Sequence, residues 1–162
     1  MMFFLFLCFL ALGAAAPLEE KNTKLQRGGC APFWFSFSGR CYRYVATEMT
    51  WADAEFHCVS LGANLVSIHS QEEQNFVKSL IQNFDPVQGR TWIGLTDLHK
   101  NFRWMWSDGS RVDFVFWNTG EPSNYEGAES CVETNYSANK KWNDAKCHET
   151  FPFVCASRTV CP

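Results

Sequence analysis

The sequence predicts a single α+β domain that is stapled by disulfides and follows a short apolar N-terminal segment. Two amphipathic segments with helix caps come first, short β-rich runs separated by turn residues follow, and cysteines are frequent throughout. The length of 162 residues suits one domain, and 46% hydrophobic residues are enough for a substantial core. The net charge of −3 gives no reason to expect nucleic acid or an anionic membrane as a partner.

The first 29 residues differ in composition from the rest of the chain. Residues 1–16 form an uncharged apolar run that ends in three alanines. This run is too short to cross a bilayer and predicts a secretory signal peptide, although it lacks Lys or Arg; a buried N-terminal helix is the alternative. Residues 17–29 are polar and predict a mobile leader or a propeptide. No other apolar stretch approaches membrane-spanning length, so we expect a secreted, extracellular protein without membrane insertion.

The cysteines agree with export. Cys8 belongs to the apolar run, and seven of the eight cysteines lie beyond it: Cys30, Cys41, Cys58, Cys131, Cys147, Cys155 and Cys161. In a small exported chain this number predicts a disulfide framework with one cysteine left over. The spacing contains no CxxC pair or Cys/His cluster and does not indicate zinc. Counting alone leaves the pairing open.

Local signals predict the order of the helices and strands. Aromatic and polar residues alternate over residues 33–45, which predicts a hairpin. Capping boxes that begin at Thr50 and Ser70 open two helices, and Gly62 and Asp85 end them. Five later runs complete a predicted antiparallel set of strands: residues 91–95, 103–106, 131–135, 140–142 and 151–156.

Oxygen-bearing side chains are concentrated between residues 121 and 144, in what we expect to be two short loops. They are Glu121, Ser123, Glu129, Asn143 and Asp144. Ca²⁺ binds six to eight oxygens from carboxylates, amide carbonyls and water, so this set predicts a calcium site. Pro122 can fix the turn between two of the ligands, with a cis bond as one option. Glu-Pro-Ser is also a common turn composition, and Asn-Asp pairs often end strands, so the prediction depends on their joint occurrence beside cysteines and tryptophans.

The segment between residues 107 and 128 predicts a long loop with little regular structure. Loops of this length in compact domains are usually functional or disordered. The aromatic residues Phe114, Phe116 and Trp117 argue against disorder, because side chains of this kind are usually buried. We expect them to anchor the loop so that its polar end can hold the ion.

Four groups of residues together resemble a C-type lectin-like domain. They are Trp92-Ile93-Gly94-Leu95, Trp104-Met105-Trp106-Ser107-Asp108-Gly109, Trp117 before Glu121-Pro122-Ser123, and Trp142-Asn143-Asp144 followed by Cys147 and Cys155. The resemblance covers about Cys30 to Cys155 and implies two helices, two small antiparallel sheets and a long calcium-binding loop. We therefore predict the domain at residues 30–158 and a tail at residues 159–162.

The resemblance also implies a disulfide pairing. The implied bridges are Cys30–Cys41, Cys58–Cys155 and Cys131–Cys147. Cys161 is unpaired in this scheme, and an interchain disulfide that forms a covalent homodimer is our preferred explanation. A free, capped or intrachain-paired thiol in the tail is the alternative.

In the family that this sequence resembles, one Ca²⁺ binds two adjacent sugar hydroxyls, and its ligands also hydrogen-bond to those hydroxyls. Carried over by position, the metal ligands are Glu121, Ser123, Glu129, Asn143 and Asp144. The implied sugar contacts are Glu121, Ser123, Tyr125, Glu129 and Asn143.

The resemblance leaves the sugar class open. Ser123 departs from the pattern, because mannose binders usually have Asn and galactose binders Asp at this position. Glu121 follows the mannose type, whereas Tyr125 favours the galactose type. Asn124 and Ser130 stand where acids of an auxiliary calcium site are expected, so we predict that this second site is absent or weak.

These features predict a secreted, calcium-dependent lectin that recognises glycans on cell or microbial surfaces, with a role in defence against microbes. An ice-binding (antifreeze-type) or protein-binding module on the same fold is the alternative. No GxSxG, HExxH or P-loop pattern is present, so we predict no catalytic residues and no enzyme. Asn135-Tyr136-Ser137 is a sequon that makes Asn135 a candidate for N-glycosylation.

Overall fold

The computed structural model describes residues 24–157, which form an α+β domain as predicted. Within that range the elements are β1 (Phe35–Phe37), β2 (Arg40–Met49), α1 (Trp51–Ser60), β3 (Ala63–Leu65), α2 (Gln71–Phe84), β4 (Thr91–Thr96), β5 (Met105–Trp106), β6 (Cys131–Tyr136), β7 (Lys141–Ala145) and β8 (Phe151–Ser157). A 3-10 turn covers Tyr125–Gly127. The predicted signal peptide, most of the predicted leader and Cys161 lie outside the described residues.

The strands form one hydrogen-bonded network in the order β1-β2-β8-β4-β6-β7, with β3 beside β8 and β5 beside β4. All pairs are antiparallel except β4 with β8, which pair in parallel at Trp92 and Phe153. This contact joins what the sequence predicted as two separate small sheets. Strand β3 was not predicted, because three residues are too few to show a pattern and their pairing with β8 is long-range.

Both helices begin at the predicted caps. The side chain of Thr50 accepts a hydrogen bond from the backbone N–H of Asp53, and that of Ser70 accepts one from the N–H of Glu73. Gly62 follows α1 with a φ of +75°, in the left-handed region that favours glycine at helix ends. Neither helix of the described chain is long and apolar enough to cross a membrane.

The long loop is anchored to the core through β7. Trp142 on β7 is fully buried, and the rings of Phe114 and Trp117 lie edge-on to it at centroid distances of 5.8 and 6.0 Å. The backbone of Trp142 also donates to the carbonyl of Phe116 (2.9 Å) and accepts from the N–H of Asn118 (2.8 Å). These contacts confirm that the aromatic residues anchor the loop, and they bring it against the strand that carries Asn143.

The three predicted disulfides are present. Cys30–Cys41 closes the first hairpin, Cys58–Cys155 joins α1 to β8, and Cys131–Cys147 joins the start of β6 to the turn after β7. Each bridge typically contributes about 2–4 kcal/mol of stability. The last one links the two ends of the β6–β7 hairpin, where the candidate site lies.

Residues 24–29, the end of the predicted leader, contact the domain. Leu25 packs against the core, and the carbonyl of Gln26 accepts a hydrogen bond of 2.7 Å from the N–H of Ser36. Gly28 has a φ of +53°, and a Cβ at this position would lie 2.8 Å from Cβ of Ser36. The boundary at residue 30 stays a prediction, but ordered packing begins before it.

A buried ion pair secures the start of α2 to β2. Arg40 donates to Oε1 of Glu73 at 2.6 Å, and the hydroxyl of Tyr42 donates to the same oxygen. The other oxygen of Glu73 accepts from the N–H of His69 at 2.6 Å. Burial raises the pKa of Tyr42 well above its usual value, so its hydroxyl keeps the proton that it donates.

Replacing Glu73 tests this pair. The Glu73→Ala variant leaves the buried Arg40 with its longer ion pair to Asp108 (3.9 Å) in place of the short one, so we expect the free energy of unfolding to fall by about 3 kcal/mol. Glu72→Ala removes an exposed carboxylate in the same helical turn and should change it by about 0.5 kcal/mol or less. Urea denaturation of both variants measures the difference, and equal effects would contradict the buried network.

Candidate functional site

Five of the six residues predicted to bind metal or sugar line one cleft. The cleft has a volume of about 470 Å³ and lies between the long loop and the β6–β7 hairpin. Its wall consists of Arg90, Glu121, Ser123, Tyr125, Glu129, Tyr136, Asn143, Lys146 and Glu149. The sixth residue, Asp144, is fully buried.

Asp144 fixes the position of the loop. Its Oδ1 accepts a hydrogen bond from the backbone N–H of Ser123 (3.0 Å) and its Oδ2 one from the N–H of Asn124 (2.7 Å). Asn143 and Asp144 were expected in a loop, but they lie within strand β7, opposite Glu133 and Val132 of β6. The correction has a physical cause: the buried ring of Trp142 and the pairing with β6 extend the strand to Ala145.

Glu129 closes the loop on itself. One of its carboxylate oxygens accepts from the N–H of Tyr125 (2.9 Å) and from the hydroxyl of Ser123 (3.3 Å). The side-chain oxygen of Asn124 accepts in turn from the N–H of Glu129 (3.2 Å). Asn124 and Glu126 have φ values of 46° and 58°, so this turn is held in the left-handed region by its own hydrogen bonds.

Among the described residues that line the cleft, Glu121 has a carboxylate that is incompletely paired. The Glu121–Pro122 bond is cis, and Oε2 of Glu121 is buried without a hydrogen-bond partner among residues 24–157. Burial raises the pKa of Glu121, a hydrogen bond with Ser123 lowers it, and the neighbouring carboxylates of Asp144 and Glu129 raise it again, with a net increase. A buried acceptor without a donor is unfavourable, and a cation would relieve both the missing contact and the repulsion.

The chemistry of the donor set fits Ca²⁺. Carboxylates, an amide oxygen and a hydroxyl are the hard oxygen ligands that this ion prefers. The ligand side chains do not already surround a common centre. Within residues 24–157 no group of three His, Cys, Asp or Glu side chains is arranged to hold a metal ion. Oxygens of Asp144 and Glu129 are instead occupied by backbone N–H groups of residues 123–125.

Two residues next to Asn143 were missed from the sequence, Arg90 in the wall of the cleft and the buried Glu133 behind it. The amide nitrogen of Asn143 donates to Oε1 of Glu133 at 3.0 Å, and Arg90 donates to the same oxygen at 2.7 Å. Glu133 is fully buried, which raises its pKa, while its hydrogen bonds with Arg90 and Asn143 lower it. Only the β6–β7 register places Glu133 opposite Asn143, so recognising it from sequence needed a prediction of strand pairing.

The remaining site predictions concern the rim and the neighbouring turns. Tyr125 is 63% exposed at the edge of the cleft, where a ligand can reach its ring. The carbonyl of Ser130 accepts from the N–H of Asp97 (3.1 Å) and from the hydroxyl of Thr96 (2.7 Å). The absence of an auxiliary calcium site stays a prediction.

The structure counts against a glycan at Asn135. This side chain is only 3% exposed, and its Nδ2, which would carry the sugar, donates to the carbonyl of Gly89 at 3.3 Å. A glycan there would have to break this contact and displace the buried side chain from the interior. The sequon therefore lies at a position that the folded domain covers.

The model of the lectin C-type domain family matches residues 47–157 of the chain. The chain belongs to this family. It is 41% identical to lactose-binding lectin l-2 of Anguilla japonica over 160 residues. This alignment covers 96% of the chain and 95% of the relative. It is 38% identical over 151 residues to the galactose-specific lectin nattectin of Thalassophryne nattereri, with 93% and 94% covered.

A solved structure shares the fold of this C-type lectin. Herring type II antifreeze protein superposes with a TM-score of 0.75 at 36% identity, covering 82% of this chain and 100% of the other. The predicted family and fold are thus confirmed, and the relatives named as lectins are binding proteins. That the chain is not an enzyme stays a prediction.

Removing the disulfide that spans the site should affect both stability and ion binding. We expect the Cys131→Ser/Cys147→Ser variant to lose about 2–4 kcal/mol of unfolding free energy and to bind Ca²⁺ more weakly, because the hairpin ends are released. Cys30→Ser/Cys41→Ser is the matched control, since it also removes one bridge but lies in the first hairpin. Urea denaturation and calorimetric titration with Ca²⁺ measure the two effects, and equal calcium affinities in the two variants would contradict the role assigned to Cys131–Cys147.

Proposed function

We propose that this C-type lectin is a secreted protein that binds carbohydrate through one Ca²⁺ held in the cleft. The observation that carries the proposal is the unpaired buried oxygen of Glu121, which lies in the same cleft as Glu129 and Asn143. A buried carboxylate oxygen without a donor, close to two further carboxylates, is an arrangement that a divalent cation stabilises. Ser123 and Asp144 complete the proposed ligand set.

The side chains of the cleft can hydrogen-bond to a sugar in a complementary way. A bound Ca²⁺ would supply coordination to two adjacent hydroxyls of the sugar ring. Glu121 and Glu129, as carboxylates, accept hydrogen bonds from those hydroxyls. The amide of Asn143 has two N–H groups, of which one donates to Glu133 and the other can donate to a hydroxyl oxygen. Acceptors and a donor on one wall favour a polyhydroxylated ligand over an apolar one.

The sugar class that we propose is galactose or lactose. Tyr125 presents an exposed ring at the edge of the cleft, where it can stack on the apolar face of a galactose ring. Two relatives that cover most of the chain are named for lactose binding and galactose specificity. Glu121 follows the mannose type by position, so a mannose-type glycan is the competing ligand.

Secretion and pairing of two chains belong to the same proposal. Residues 1–16 have the composition of a signal peptide, and three intrachain disulfides are typical of proteins from oxidising compartments. A disulfide between two Cys161 thiols would give a bivalent homodimer, which binds clustered glycans on microbes or cells more tightly than one site does. Recognition of such surfaces would suit a role in defence.

A glycan array that is run with Ca²⁺ and again with EDTA tests the proposed function. We expect binding to galactose- or lactose-terminated glycans that EDTA abolishes. Full binding in the chelator would contradict the calcium mechanism. The similarity to herring antifreeze protein favours ice binding as a second candidate. Thermal hysteresis without binding to any glycan would support that candidate instead.

Ser123 offers a test of the ligand set. A hydroxyl is a weaker cation ligand than a carboxylate, so we expect Ser123→Asp to raise the calcium affinity by about tenfold. Ser137→Asp adds the same charge to an exposed turn outside the cleft and serves as the control. Calorimetric titration with Ca²⁺ measures both variants. If the two substitutions change the affinity equally, Ser123 does not lie next to the ion.

A further inference from the structure

Glu133 lies beneath the cleft and contacts one of the proposed calcium ligands. It is fully buried on β6, directly opposite Asn143 of β7 in the strand register. Oε1 of Glu133 accepts a hydrogen bond of 3.0 Å from Nδ2 of Asn143. A carboxylate has only acceptors to offer, so the group that faces it must be the nitrogen of the amide and not the oxygen.

Arg90 holds Glu133 in this role. Its Nη2 donates to Oε1 of Glu133 at 2.7 Å, and its Nε donates to Oε2. The guanidinium group also stacks over the ring of Phe151, 4.4 Å from the centroid. The fork of an arginine fixes a carboxylate in one plane, so Glu133 has little freedom to turn away from Asn143.

The orientation of Asn143 follows from these contacts. The oxygen and nitrogen of a planar amide point in different directions, so a nitrogen that is directed at Glu133 turns Oδ1 away from it. Asn143 lines the cleft, and its oxygen is the atom that a cation would need there. With the amide turned over, Nδ2 would face the ion and Oδ1 would face a carboxylate, and both contacts would be repulsive.

We propose that Glu133, held by Arg90, is a positioning residue that sets the amide of Asn143 with its oxygen toward the calcium ion. The inference rests on the proposed calcium site. Outer residues that orient metal ligands commonly change the affinity by about 10–100-fold when they are replaced. Glu133 would therefore control calcium affinity, and through it sugar binding, without touching the ion or the sugar.

The Glu133→Met variant tests the proposal, because methionine has a similar length and offers no oxygen to accept from the amide of Asn143. Oε1 of Glu133 accepts from both Arg90 and Asn143, and this substitution removes both contacts. Nothing then fixes the direction of the Asn143 amide, so its oxygen is no longer held toward the ion. We expect calorimetric titration to show a loss of calcium affinity of about 10–100-fold. Glu72→Gln, which removes an exposed carboxylate on α2 outside the cleft, should leave the calcium affinity unchanged.

A second substitution should restore binding if orientation is the cause. Aspartate has two equivalent oxygens, so in Glu133→Met/Asn143→Asp an oxygen faces the ion whichever way the carboxylate turns. We expect the double variant to recover calcium affinity to within about threefold of the parent protein. That residual loss is smaller than the loss of about 10–100-fold expected for the single variant. A purely structural role for Glu133 predicts no recovery, and that result would overturn the proposal.

The unsubstituted protein provides a readout that needs neither calcium nor correct folding of a variant. In EDTA, NMR should show one Nδ2 proton of Asn143 shifted downfield and protected from exchange, because it is bound to the Glu133 carboxylate. Freely exchanging Asn143 amide protons would overturn the proposal. Failure of the parent protein to bind Ca²⁺ would instead contradict the proposed function, and the NMR result would still decide how Asn143 is oriented.

Discussion

The pairing of β6 with β7 is the constraint on which the candidate site depends. Its register places Glu133 opposite Asn143 and Val132 opposite Asp144. The Cys131–Cys147 bridge closes the two ends of the hairpin, and the buried ring of Trp142 fixes β7 against the core. A slip of one residue would exchange the buried and cleft-facing side chains, so the site exists only in this register.

The tip of the long loop is attached to this strand pair by hydrogen bonds to carboxylates rather than by apolar contacts. The buried carboxylate of Asp144 binds two successive backbone N–H groups of the loop, and Glu129 binds a third. Behind the tip, the aromatic rings of Phe114 and Trp117 attach the loop to Trp142. The polar end therefore lies on a rigid base, with Glu121 and Glu129 in the wall of the cleft. Oε2 of Glu121 has no hydrogen-bond donor within the described residues, and this observation supports the proposed cation.

Much of this arrangement could be predicted from the sequence because its signals are local. The caps at Thr50 and Ser70 define the helices, and the acids around Pro122 mark the loop. The disulfide pairing came from the family resemblance, since counting cysteines allows many connectivities. Long-range pairing set the limits of prediction: β3 forms only against β8, and Asn143 and Asp144 belong to a strand because β6 lies beside them. Glu133 and Arg90 meet across 43 residues of sequence, and no local pattern identifies that contact.

The most direct test of the proposed calcium site is calorimetric titration of the folded, oxidised protein with Ca²⁺. We expect uptake of a single ion per chain, with a dissociation constant of about 10⁻⁴–10⁻³ M or tighter, as in other extracellular calcium sites. A protein with its disulfides intact that takes up no Ca²⁺ at millimolar concentration would contradict the site.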